Sequence, residues 1–272
     1  MLETFSTEEL AAIGSSAIKG LSTGFIAALS TAEVAALSTA GVAGLTGDQI
    51  NALGRDQIEA LSTSQIAALS SAGLAGLTTE DLATFSTGEL AAINSTAIRG
   101  LSTAVVASLS PQEIAALTTS QVAALSYGQV AAMGSAQIGA LSLSQVSALN
   151  AMQAAALGGD DLTTFSTEQI ISLSSSAISG LSTGTLAALT TSQAAAFTPG
   201  QIAAMTSAQV TALNSAKPTN SSVQDIASFI STTEQQAATP DNAAGTDTSA
   251  NASSETQEAS DVAATILSYL DV

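Results

Sequence analysis

The residues able to do chemistry in this chain are few, and most are acidic. Glu80-Asp81 and Asp160-Asp161 are adjacent carboxylate pairs of the kind that can trade a proton or hold a divalent cation, and Asp48 and Asp56 are isolated acids eight residues apart. The chain has no Cys and no His. That removes thiolate nucleophiles, imidazole bases, disulfides and His/Cys metal sites together. Ser is abundant, but with no His and no activating Lys beside it, a Ser hydroxyl has no base to take its proton. Lys19 and Arg99, two of only four basic residues, are suited to a solvated face or an ion pair with a neighbouring element.

The frame that carries these acids is an octad. Every eighth residue from Phe5 to Leu213 is Leu, Ile, Phe or Met, and the residue after it, from Ser6 to Asn214, is Ser, Thr, Gly or Asn. Leu29-Ser30-Thr31-Ala32-Glu33-Val34-Ala35-Ala36-Leu37 shows what the pattern means. Ser30 is a good helix N-cap, and Glu33 three residues on completes a capping box. Leu29 before the cap and Val34 four residues after it form a hydrophobic staple. The third helical position, N3, is Glu or Gln in 16 of 26 octads, including Glu9, Gln49, Gln65, Glu113, Gln137 and Gln209. The fourth, N4, is Ile, Val or Leu except at Ala154 and Ala194, and the two prolines of the array, Pro111 and Pro199, fall at N1.

A single long helix is excluded by geometry. Eight residues at ~100° each drift about 80° per octad, so no apolar face persists. Strands are excluded because apolar spacings of five and three have no period of two. The pattern therefore predicts an all-α solenoid of short capped mini-helices, one per octad, over residues 1–214. Such helices are too short to stand alone, so stability must come from stacking and caps. Ala or Gly usually precedes the core Leu (Ala28, Ala36, Gly44), which allows backbones to approach closely. In this frame Glu80-Asp81 and Asp160-Asp161 occupy N2 and N3, and Asp48 and Asp56 occupy N2. There an acid is favoured by the helix dipole, without any catalytic task. No catalytic residue, cofactor or metal site is expected.

A longer period lies above the octad. Thr4-Phe5-Ser6-Thr7 recurs as Thr84-Phe85-Ser86-Thr87 and Thr164-Phe165-Ser166-Thr167, an 80-residue superrepeat. Duplication of a ten-octad block explains it, and so does completion of a whole number of coils. Glycine-containing octads near 17–20, 41–44, 73–76 and 97–100 suggest between three and four octads per coil.

Composition narrows the partners. A net charge of −18 with four basic residues argues against nucleic acid, which needs several basic contacts to phosphate, and against an anionic membrane surface. No run of ~18 apolar residues is present to span a membrane, and Met1–Leu10 has neither the basic nor the apolar region of a signal peptide. Beyond the array, residues 215–258 read as a linker, a short amphipathic segment at Val223, Ile226, Phe229 and Ile230, and an acidic tail expected to be disordered. Residues 259–272 read as a C-terminal amphipathic helix capped by Ser260. From Pro218 to Val272 there are eight acids and no Lys or Arg.

Two resemblances bear on function. The octads, such as Ala116-Leu117-Thr118-Thr119-Ser120-Gln121-Val122-Ala123-Ala124-Leu125, resemble the Leu-Thr-Thr-x-Gln-Val/Ile arrays of bacterial haem-utilisation and adhesion-type exoproteins. The acidic end finishing in Leu270-Asp271-Val272 resembles type I secretion substrates. Together they imply a secreted or surface location and an uncleaved C-terminal export signal; a plain solubilising tail and a cytoplasmic location are the alternatives. A haem site does not carry over, because Tyr127 and Tyr269 are isolated and His and Cys are missing; nor does the calcium-binding nonapeptide common in secreted proteins of that type. The expected function is structural: self-association into fibre or matrix, with head-to-tail docking of open ends, or adhesion to other surface proteins. A monomeric protein-binding scaffold is the main alternative. Ice binding through the Thr that recurs at N1 (Thr23, Thr31, Thr39, Thr63, Thr103) is another.

Overall fold

The computed structural model describes residues 5–217. Those residues form 25 short α-helices and one 3-10 helix, with no strand among them. This is the expected all-α solenoid of mini-helices. The expectations for the tail, including the segment at Val223–Ile230 and the helix at 259–272, lie outside the described residues.

Each octad folds as the local signals require. In the helix Thr31–Ala36, the Glu33 N–H donates to Ser30 Oγ (3.3 Å) and the Ser30 N–H donates to Glu33 Oε2 (2.6 Å). The helix ends at Leu37, whose backbone turns extended (φ −58°, ψ 135°) while its N–H donates to the Val34 carbonyl. Ser38 is also extended and caps the next helix, Thr39–Gly44. A pair of extended residues thus re-aims the chain, and the first of the pair is the core aliphatic. Neither needs a left-handed conformation, so no glycine is required at the turn.

The solenoid stacks each helix on the one three octads earlier, as in Ser15–Ile18 under Thr39–Gly44, or Thr87–Ala92 over Thr63–Ala68. Side-chain hydrogen bonds reach four octads back, as Gln49 does to Ile18 and Leu21. Neighbours at three and at four octads agree with a coil of intermediate length. The N4 and core-position aliphatics, from Leu10 to Leu213, form one continuous buried column. Small residues set the closest approaches. A Cβ added to Gly44, Gly100 or Gly180 would overlap the backbone of Ser15, Ser71 or Ala151 in the coil below.

One octad departs from the rule. At Asn94 the side chain accepts from the Thr96 N–H (2.9 Å) in a tight local turn, and the unit forms only the 3-10 helix Ile98–Gly100. N3 of this octad is Ala97, which can return no capping hydrogen bond. At the end of the array, Asn214 does not restart a helix. The helix Ser207–Ala216 runs through it to a cap at Lys217, so residues 215 and 216, read from the sequence as the start of a linker, are helical. A new unit there would carry Lys217 at N3 and Pro218 at N4, with neither box nor staple to support it.

Candidate functional site

The acids singled out in the sequence are used by helix N-termini. Asp81 is buried, and its Oδ2 accepts from the Thr78 N–H (2.9 Å) and hydroxyl (2.8 Å). Glu80 beside it is exposed. Its carboxyl lies below the usual glutamate range because its own backbone N–H, then the Thr79 hydroxyl (3.0 Å), donate to it. Asp161 accepts from the Gly158 N–H (2.8 Å) and from Ser135 Oγ of a lower coil (2.8 Å), while Asp160 points to solvent. Asp48 and Asp56 are exposed in first turns. The fold does not converge these carboxylates. Among the described residues no group of three or more acids is placed to hold a metal ion. Arg99, one of the two basic residues expected on a solvated face or in an ion pair, is exposed and donates from Nε to the Ala124 carbonyl of the next coil (2.6 Å).

The side chains with the most demanding geometry are instead the glutamines at N3. Twelve are buried, from Gln49 to Gln209. In each, Oε1 accepts from the N-cap N–H of its own octad, as at Gln121 (from Thr118, 2.7 Å) and Gln137 (from Gly134, 2.7 Å). Nε2 then donates to carbonyls in the coil below: Gln65 to Val34 (2.9 Å) and Leu37 (2.9 Å), Gln129 to Ile98 (3.0 Å) and Leu101 (2.8 Å), Gln209 to Ile178 (3.0 Å) and Leu181 (2.8 Å). The Val34, Ile98 and Ile178 carbonyls already accept from the N–H three residues on and gain a second bond, whereas those of Leu37, Leu101 and Leu181, just past the helix end, have no backbone donor of their own. One amide therefore joins the start of one helix to the end of another, and among the described residues no buried side-chain polar atom lacks a hydrogen bond. Gln169 is the variant, reaching Gly139 (3.2 Å) and Leu141 (2.6 Å). Thr185 substitutes a hydroxyl that reaches only Leu157 (3.1 Å).

Glu at N3 behaves differently. Glu9 is exposed and Glu33, Glu89 and Glu113 are half-exposed. A carboxylate can cap its own helix but has no N–H for the coil below. Sequence reasoning grouped Glu and Gln as one capping signal. The clue that separates them was their distribution: the first coil carries Glu9, Ala17, Phe25 and Glu33 at N3, and the glutamines begin at Gln49.

The surface offers a shallow groove of about 530 Å³ bordered by Thr39, Ala43, Leu69, Ser70, Asn94 and Ala97, with no titratable side chain on it. The N1 threonines do not form an unbroken ladder. One column of stacked N1 positions runs Thr7, Thr31, Arg55, Thr79, Thr103, Tyr127, so a cation and a ring interrupt the hydroxyl spacing that ordered water would need.

A family model for the ALTTAQ repeat matches residues 26–159 in overlapping windows and residues 179–207 again, which is more than half of the chain. No curated protein matches the chain.

Proposed function

Because the chain belongs to the ALTTAQ repeat family, we propose that it is a structural repeat protein that works by association and not by catalysis. The observation that carries this is the use made of its polar side chains. The buried amides and carboxylates are spent on joining coils and capping helices, and what faces solvent is chiefly Ala, Ser, Thr and scattered acids. Such a surface suits repeated packing between large rigid bodies better than recognition of a small molecule, which favours an enclosed, apolar pocket with a few convergent polar groups.

The proposed setting is outside the bacterial cell or on its surface, in a fibre, matrix or adhesive layer, with the acidic C-terminal segment as the export signal. Both parts rest on the sequence resemblances.

Sedimentation and electron microscopy of the purified full chain test the proposal. Multimers or fibres that grow with concentration are expected. Isolated rods at every concentration would favour a monomeric binding scaffold instead. Deletion of residues 218–272 is expected to abolish export in a bacterial host, and unchanged export would remove that part.

A further inference from the structure

Between Glu113 and Asp160 the chain contains no Asp, Glu, Lys or Arg. The same stretch holds three of the four large apolar side chains that stand open to solvent among the described residues: Tyr127 (48% exposed), Leu143 (48%) and Met152 (61%), with Ile171 (51%) just beyond. Two of them are neighbours. The helices Tyr127–Ala131 and Ala151–Ala154 stack directly, with Tyr127 at N1 of the lower and Met152 at N2 of the upper. One coil earlier the equivalent positions are Thr103 and Gly128, where a Cβ on Gly128 would lie 3.8 Å from the Thr103 methyl. That register sets Met152 against Tyr127.

Around this pair the N1 and N2 positions of the stacked helices are small and neutral: Ala104, Gly128, Ala151 and Ser176. Further down the same column the positions carry Glu8, Arg55, Asp56 and Glu80. One face of the solenoid is therefore charged in its lower coils, and in its upper coils it is neutral and bears a ring beside a flexible thioether.

We propose that this neutral strip seats a second copy of the same chain, side by side. The proposal rests on the associative function inferred above and names the surface that serves it. Charge selects the occupant. Two copies with 22 acids and four bases each repel one another over most of their surface, and this strip is where they can touch without placing like charges together. A basic partner would be drawn to the acid-bearing coils instead. The strip is also self-complementary. A two-fold axis between Tyr127 and Met152 lays the ring of one copy on the thioether of the other, in an isologous contact, and the small flanking residues let the backbones approach.

Sedimentation velocity of the full chain over a range of concentrations and salt tests this, comparing wild type with Tyr127→Ser/Met152→Ser. Wild type is expected to associate, and more strongly as salt screens the repulsion. The double variant should weaken association by at least about tenfold, as loss of two anchor side chains does, with an unchanged circular dichroism spectrum. The chain has no cysteine, so Met152→Cys labelled with pyrene is expected to show excimer fluorescence, and Ala32→Cys, at N2 in a lower coil of the same face, is not. A wild type that associates equally well after the double substitution overturns the strip and leaves the associative function standing. A wild type that stays monomeric overturns both.

Discussion

Gln121 Nε2 donates to the carbonyl of Leu90 at 2.7 Å, thirty-one residues earlier, and to that of Ile93 at 2.7 Å, while its Oε1 holds the N–H of Thr118 at 2.7 Å. Gln121 is buried. Its replacement by Glu keeps the local cap, since Glu serves as N3 elsewhere, but removes both donors and points a carboxylate at two carbonyls. The Leu90 carbonyl keeps the Ile93 N–H, but the buried Ile93 carbonyl is left without a partner, and a loss of about 1–3 kcal/mol is expected. Urea denaturation should show Gln121→Glu less stable than Gln121→Ala, because the charge adds a desolvation cost. Equal stability of Gln121→Glu and wild type would mean that the cross-coil hydrogen bonds contribute nothing.

The converse substitution should stabilise. Glu89 caps Ser86 and is half-exposed, and the carbonyls at the register used by the other glutamines are those of Ile58 and Leu61. Glu89→Gln supplies the missing donor and is expected to add about 1 kcal/mol, raising the thermal midpoint. Glu9→Gln, in the first coil with no described coil beneath it, serves as the control and should gain nothing from this source.

Glycine substitutions should divide by stacking environment. A Cβ at Gly100 would overlap the Ser71 carbonyl of the coil below, whereas one at Gly200 meets nothing within 4 Å. Gly100→Ala is expected to destabilise by about 1–3 kcal/mol through forced separation of the coils. Gly200→Ala, inside the helix Pro199–Ala203, should stabilise by about 0.4–1 kcal/mol by restricting the unfolded chain. Matching effects at the two positions would show that the helices are not packed this closely.

Acid should loosen the exposed caps. The carboxyl of Glu33 lies below the ordinary glutamate value of 4.5 because the Ser30 backbone N–H, then the Ser30 hydroxyl, donate to it. Glu8 and Glu168 are lowered chiefly by their own backbone N–H groups. A carboxyl whose folded value is depressed contributes stability above its unfolded value and loses it as pH falls through the folded one. Carbon-detected titration should place the Glu33 midpoint below 4.5, and Glu33→Ala should flatten part of the acid-range fall in thermal midpoint. A Glu33 midpoint at or above the ordinary value would contradict the cap geometry.

What the sequence determined by itself is local. A hydroxyl after each core aliphatic, an acceptor three residues into the helix and an aliphatic one residue further are short-range signals, and their interactions close within one octad. They specify a restart at Ser30 or Ser62 without reference to the rest of the molecule. The same short-range chemistry misled at Asn94, whose side chain turns to Thr96. The division of N3 between Gln and Glu was decided only by the tertiary structure. Both residues accept from their own N-cap, so within an octad they are equivalent. They differ in an N–H whose partner lies about thirty residues away in sequence, and that partner is in reach only once the coils have stacked.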